Sequence, residues 1–310
     1  MDEQYCSQML DSFLKLVHHS KSSIPAFCVS HFTFSLVATL GNLLVIRPLI
    51  KATTIPANVR KMFISLAFSD LAVGLLPQLM TAIIFAVVWK MASRGDNLAF
   101  LCPTVLSVLS YFGYLLVAAS FQNVIVIARD RVLAVSLHLR YQELVTLKRV
   151  TIVLVSVWIT SCFFPILYIL FPKEIEIVAA VISLTGYALI TVAYVRIYKV
   201  VKYHQNQIYS QNQLQNAQTR ETHRQRKSAY NSLFVSVVFL ACYFPSFPCT
   251  ILYETNPSDI SFLVAKLASV FLICLNSSLN PIVYRWRYRE IRQSVKSTLK
   301  KLFHMNENIS

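Results

Sequence analysis

Residues 59–88 read VRKMFISLAFSDLAVGLLPQLMTAIIFAVV, thirty positions with a single acid, Asp70, after the basic pair at the start. About 20 largely apolar residues cover a hydrocarbon core of about 30 Å as a helix, so this stretch is long enough to cross a bilayer. Six further runs qualify, near residues 27–50, 99–134, 149–171, 175–203, 227–254 and 260–284. Seven spans are therefore predicted. Pro77, Pro165, Pro245 and Pro281 fall inside them, where a lipid-embedded helix kinks and neighbouring helices re-satisfy the freed carbonyls.

Composition supports lipid as the solvent. The 310 residues are 55% apolar and only 14% charged, with 29 Lys and Arg against 14 Asp and Glu. That balance excludes disorder and argues against an ordinary soluble domain. The surplus charge is not clustered on a water-facing domain, so nucleic acid is not an expected partner. The seven cysteines form no CxxC pair and no Cys/His set at metal spacing. No nucleophile–base pair or phosphate loop suggests an enzyme.

Between the spans, 23 Lys and Arg fall on one side and six on the other if the N-terminus is outside. The positive-inside rule then predicts a multi-pass cell-membrane protein with an extracellular N-terminus and a cytoplasmic C-terminus. The predicted units are an outer segment 1–26, the membrane domain 27–284, an amphipathic helix 285–303 and a tail 304–310. The first unit lacks the marks of a secretory signal. In the third, Trp286, Ile291, Val295, Leu299 and Leu302 share one face and basic residues the other, which predicts a helix lying on the inner leaflet against membrane lipids. Residues 204–226, rich in Gln and Asn, are expected to form a polar cytoplasmic loop. The link between spans four and five is only a few residues around Phe171 to Glu174.

Asp70 lies eleven residues into its span, roughly 17 Å deep at helical rise. Ser120 of span three and Asn276, Ser277 and Asn280 of span seven sit at matching depth. Carboxylate, hydroxyl and amide oxygens suit a hard monovalent cation such as sodium, or they form a hydrogen-bonded network with no ion. At the inner end of span three, Asp130 and Arg131 follow Arg129 and the apolar run 124–128 (VIVIA), an arrangement suited to a charge switch.

These residues together resemble the rhodopsin-like (class A) G-protein-coupled receptors over residues 24–303. The likeness is carried by GNLLVI around Asn42, LAFSD ending at Asp70, DRVLAV at Asp130, Trp158, Tyr194 in YVRIY, FLACYFP from Phe239 through Tyr243 to Pro245, and NPIVY from Asn280 and Pro281 to Tyr284. The resemblance implies an all-α seven-transmembrane bundle and no cofactor other than an allosteric sodium ion at Asp70, Ser120, Asn276 and Asn280. It also implies a switch of Arg131, Tyr194 and Tyr284 that opens the inner ends of spans five and six to a heterotrimeric G protein. Departures include Val132 for the usual Tyr, Tyr243 for the usual Trp, and Gly186 where span five commonly has Pro. The second outer loop has no Cys, so the usual bridge is absent; Cys102 paired with Cys6, or left as a buried thiol, both stay open. The short second outer loop and the missing proline resemble the melanocortin, adenosine and cannabinoid receptor group.

The resemblance also limits the extracellular ligand. Gly113 stands where amine receptors carry an Asp, Cys274 where opsins carry the retinal Lys, and Met80, Leu106 and Ser110 where melanocortin peptides meet acids. The expected pocket is lined by Ser110, Gly113, Tyr114, Val117, Val178, Ile182, Phe247, Val270 and Ile273, a mostly apolar wall suited to a lipid or other neutral hydrophobic ligand. Plain helix packing explains the same residues. A membrane transporter or channel is the alternative function, though no internal repeat is visible.

Overall fold

The computed structural model describes residues 3–19, 22–102, 104–137, 140–211 and 238–307. The described residues are helical nearly throughout. They comprise α1 (Glu3–His19), α2 (Ser23–Lys51), α3 (Ala57–Val73), α4 (Leu79–Ala92), α5 (Thr104–Leu137), α6 (Tyr141–Leu144), α7 (Leu147–Leu170), α8 (Pro172–Gln211), α9 (Ser246–Thr255), α10 (Ile260–Arg287) and α11 (Arg289–Glu307). Five membrane-length apolar stretches stand out: Ser23–Lys51, Ala57–Ala92, Thr104–Ala134, Leu147–Leu170 and Ile260–Arg287. α8 adds a shorter apolar stretch, Ile177–Val192.

Local chemistry sets the helix edges. The Thr146 hydroxyl accepts from the Arg149 amide to start α7, and the Asp259 carboxylate accepts from the Ser261 amide at 2.8 Å to start α10. Such caps satisfy donors that a helix start leaves unpaired. Span two is continuous through a π-helical turn, Gly74–Gln78, that contains Pro77. Proline removes an amide donor, and the wider turn absorbs the break without ending the helix.

The helices close into a ring in which α2 packs on α3, α3 on α7, α7 on α8, α8 on α9, α9 on α10, and α10 back on α2, with α5 inside touching α3, α7 and α8. The main core runs through Val45, Leu66, Phe121, Ile190, Phe239 and Tyr284. Leu36, Leu40, Leu43, Ile152, Val155 and Phe163, about half exposed, face outward, as expected of side chains bathed in lipid.

Within the predicted outer segment 1–26, α1 buries Cys6, Leu10, Phe13, Leu16 and Val17 against Ile84, Phe85, Val88, Leu98, Leu101 and Leu106. These positions recur at helical spacing, and the polar residues between them face away. The polar loop expected from residue 204 begins later, because α8 stays helical to Gln211; the remaining loop residues, 212–226, lie outside those described. α11 does not offer its whole apolar face to the leaflet, since Ile291 and Val295 are buried in the main core and Leu299 packs against it. Trp286 belongs to α10 and is exposed. The side chain of Leu302 is outside the described residues.

Cys6 and Cys102 are joined by a disulfide that ties α1 to the segment preceding α5, across a sequence separation of 96. Because α7 ends at Leu170 and α8 starts at Pro172, Phe171 alone connects them. The α1 end of the ring is therefore covered by α1 rather than by that connection. Cutting a disulfide that closes so long a loop costs about 2–5 kcal/mol. Cys6→Ser should lower the unfolding midpoint in detergent and expose α1 to protease. A midpoint and cleavage pattern equal to those of the unaltered chain would show that packing alone holds α1.

Candidate functional site

The site starts from Asp70, which is fully buried on α3. A carboxylate in an apolar bundle needs donors, and three are supplied. The Ser120 hydroxyl of α5 and the Ser277 hydroxyl of α10 both donate to Oδ1 at 2.9 Å, and the Asn280 amide of α10 donates to Oδ2 at 2.6 Å. Asn276 does not reach the acid, and its Nδ2 is buried with no partner. Ser277, one residue on, supplies the bond expected of Asn276, although Asn276 shares a helix face with Asn280, four residues away.

α2 joins the same network. Pro281 lacks an amide proton, so the carbonyl of Ser277 four residues earlier loses its helical donor. The Asn42 Nδ2 fills that vacancy at 3.0 Å while also donating to Ala38 at 2.9 Å. Gly41 permits the approach: a Cβ there would stand 3.0 Å from Pro281 Cγ. Asn42, Asp70, Ser120, Ser277 and Asn280 thus link four helices. The oxygens of this set, one carboxylate, two hydroxyls and amides, are the hard donors that a sodium ion takes.

At the α11 end, Arg131 pairs with Asp130 through Nε at 3.0 Å and through a second, shorter contact. Asp130 is nearly fully buried, and the Tyr141 hydroxyl of α6 donates to its other oxygen at 2.6 Å. Burial and the neighbouring Asp130 hold the Tyr141 phenol above its ordinary range, so it remains a donor. Tyr284 is buried with its ring 5.1 Å from that of Phe63 and its hydroxyl unpartnered. Tyr194 lies on α8 with its side chain outside the described residues.

Between the two ends lies an aromatic block. Phe239 and Tyr243 stack at 4.2 Å, and Phe121 packs on both at 5.6 and 5.7 Å and edge-on to Tyr187 at 5.7 Å. Pro245 lies in a turn that separates the helical residues 238–243 from α9.

The family profile described as "7 transmembrane receptor (rhodopsin family)" matches residues 41–178 and 172–284. The chain belongs to the rhodopsin-like family of seven-transmembrane receptors. Among curated relatives, human melanocortin receptor 3 is 23% identical over 295 residues, covering 90% of this chain and 89% of its own length. Melanocortin receptor 4 of Danio rerio is 24% identical over 272 residues, 85% of this chain and 81% of its own. Melanocortin receptor 5 of Rattus norvegicus is 22% identical, covering 86% and 82%. The ring of helices is accordingly a seven-helix membrane bundle, with span six running from the described residue 238 through α9.

Within this rhodopsin-like receptor the expected pocket residues are not drawn into one lining. Val117 and Ile273 pack against the main core, Tyr114 stacks on Tyr168 at 4.1 Å, and Val178, Ile182 and Val270 are 44%, 50% and 43% exposed. Ser110 and Phe247 are partly buried. Beside Gly113, a Cβ would meet nothing within 4 Å, so open space lies there.

The residue pair missed by sequence reasoning is Phe121 with Gly186. A Cβ at Gly186 would stand 2.5 Å from Phe121 Cζ and 2.9 Å from Cε1. Only glycine leaves room for the ring, which explains the missing proline of span five. The ring cannot retreat cheaply, because Phe239, Tyr243 and Tyr187 hold it. Gly186→Ala should destabilise the receptor by about 1–3 kcal/mol through overpacking. Adding Phe121→Leu should restore most of the loss in a double-mutant cycle of detergent unfolding midpoints. Additive losses would sink the steric account.

A second missed contact sits on α11. Glu290 accepts from the Thr54 hydroxyl at 2.6 Å and from the Thr53 and Thr54 amides at 3.0 and 3.2 Å. The Thr54 hydroxyl, with the two amides, holds the Glu290 carboxyl below its ordinary range. A carboxyl depressed in the folded state stabilises above its unfolded pKa of about 4.3, and that contribution disappears as pH falls through the folded value. Docking of α11, followed by a fluorophore on that helix, should therefore loosen on acidification below the ordinary carboxylate range, and Glu290→Gln should remove that acid transition. Retention of the same transition in Glu290→Gln would assign it to another group.

Proposed function

We propose that this chain is a G-protein-coupled receptor whose α1 end is extracellular and whose α11 end is cytoplasmic. Binding of an extracellular ligand opens the cytoplasmic ends of α8 and the sixth span to a heterotrimeric G protein. The observation that carries this reading is the pair of polar assemblies at different depths of one bundle, the Asp70 network and the Asp130–Arg131–Tyr141 cluster. In the present geometry Arg131 is neutralised by its neighbour, the resting arrangement of a charge switch. Release of Asp130 would free the guanidinium to meet a partner or a tyrosine hydroxyl, for which Tyr284 and Tyr194 are suited by position.

Asp70, Ser120 and Asn280, with Ser277, would hold a sodium ion between the two ends, supplying positive charge that steadies the closed bundle. Asn276 would join them only by turning its amide inward. The relatives are named for melanocortin, but Met80, Leu106 and Ser110 supply no acid for a basic peptide, and the expected pocket positions Val117, Val178, Ile182, Val270 and Ile273 are apolar. A neutral hydrophobic ligand fits that chemistry better. Neither the fold nor the family match supports the transporter or channel alternative.

The test uses basal nucleotide exchange on purified G proteins by receptor reconstituted in lipid. Arg131→Ala should lower exchange about tenfold, the loss expected for one charge-assisted contact worth about 1.5 kcal/mol. Exchange by the unaltered receptor should be lower in sodium chloride than in choline chloride, and Asp70→Asn should abolish that difference. Exchange indifferent to Arg131 would overturn the switch, and persistence of the sodium effect in Asp70→Asn would overturn the ion site.

A further inference from the structure

Gln78 is fully buried, yet neither its Oε1 nor its Nε2 has a hydrogen-bond partner. His31 of α2 is 2% exposed, and its Nδ1 is likewise unpartnered. The Asp70 network does not use either residue. Their relative position follows from the contacts that bracket them. One turn toward the α11 end, the Ser35 hydroxyl donates to the Gly74 carbonyl at 2.8 Å. One turn toward the α1 end, the Cys28 thiol donates to the Ala82 carbonyl at 3.3 Å. His31 and Gln78 lie four residues on from Ser35 and Gly74, in the layer between these two bonds. The π-helical turn Gly74–Gln78 sets the register of this face.

The surroundings are apolar. The His31 ring meets Phe85 edge-on at 5.8 Å and Phe271 of α10 at 5.2 Å. Phe13 of α1 also meets Phe85 edge-on at 5.8 Å, so α1, tethered through Cys6, packs over this layer from the α1 end. Leaving an amide donor and acceptor buried and unpaired costs about 1–3 kcal/mol for each. Two such residues in one layer are a motive for an occupant that satisfies them. The aromatic neighbours favour one with an apolar body.

We infer that Gln78 and His31 form the polar anchor of a ligand site between α2, α4 and α10, which takes a neutral amphiphile whose head both donates and accepts a hydrogen bond. A primary carboxamide is the best match, since it pairs with the Gln78 amide through two hydrogen bonds. Among the described residues no ion pair involves His31, and the Gln78 amide bonds no charged side chain, so a charged head would stay uncompensated. This deepens the receptor reading by naming a ligand class, and binding can be measured without coupling.

The probe is oleamide, compared with methyl oleate, whose head only accepts, and 1-octadecene, which has no polar head. Each is added to the purified full-length receptor in detergent, and the unfolding midpoint is followed. Oleamide at about 100 times its dissociation constant should raise the midpoint by roughly 5 °C. Methyl oleate should give less than half that shift and octadecene none. Gln78→Met should abolish the oleamide shift, and His31→Phe, which keeps the ring contacts, should at least halve it, so the test survives if one variant does not fold. No shift with oleamide, an equal shift with octadecene, or an undiminished shift in both variants would overturn the site. Nucleotide exchange measured on the same preparations separates this outcome from failure of the receptor reading, because loss of oleamide binding leaves Arg131-dependent exchange intact.

Discussion

A membrane interior offers no water to unpaired polar groups, and the bundle meets that constraint by spending its polar side chains between helices. Pro281 is the pivot. By withholding an amide proton it releases the Ser277 carbonyl, and Asn42 comes across from α2 to take it. The same turn of α10 presents Ser277 and Asn280 to Asp70, whose second oxygen-bound hydroxyl comes from α5. One proline thus fixes α2, α3, α5 and α10 around a carboxylate. Trp158 extends the scheme to α7, donating its indole proton to Ser65 of α3 at 3.2 Å. Apolar contacts, which are as favourable to lipid as to protein, could not specify this arrangement alone.

The two ends of the bundle solve different problems. At the α1 end the connection between α7 and α8 is a single residue, too short to cover anything. The N-terminal helix does that work, held by a disulfide and by Phe13 on Phe85. At the α11 end the segments that follow spans one and seven are tied together through Glu290 and the Thr53–Thr54 pair. That tie sits in water and is sensitive to solvent conditions, whereas Asp130 and Tyr141 are partly shielded. Rearrangement of the shielded pair therefore requires movement of α6, not merely a change of medium.

Much of this was legible in the sequence. Apolar run length places the five membrane-length stretches within about five residues, because the thickness of the hydrocarbon core imposes it. Asp70, Ser120 and Asn280 were legible because each is polar where lipid forbids it. Ser277 was visible as polar at the right depth, but which of two adjacent buried residues bonds the acid depends on side-chain reach and packing, which the sequence does not show. The role of Asn42 needed the partner: a donor on α2 means little until a proline on α10 is known to leave a carbonyl open beside it. α1 was obscured by its charged residues, though Cys6, Leu10, Phe13 and Val17 carry a helical period that an average polarity hides. Gln78 and His31 belong to none of the sequence motifs, and only burial without partners distinguishes them.

Gly186 shows why a departure from a family pattern is better read as half of a pair. Its missing side chain is the space that Phe121 fills, and Phe121 in turn props Phe239 and Tyr243. A proline at 186 would carry ring atoms into the same space, so position 186 cannot return to the family pattern while Phe121 stays. The aromatic block lies between the Asp70 layer and the Asp130–Arg131 cluster on α5, with Ser120 next to Phe121 in the chain. Any rotation of α5 that turns Ser120 away from Asp70 must also drive the Phe121 ring against Gly186 or away from Phe239. The close packing of that ring makes such a rotation a step between discrete arrangements rather than a gradual slide. Loss of one hydroxyl from the buried carboxylate and displacement of span six are, on this geometry, the same movement.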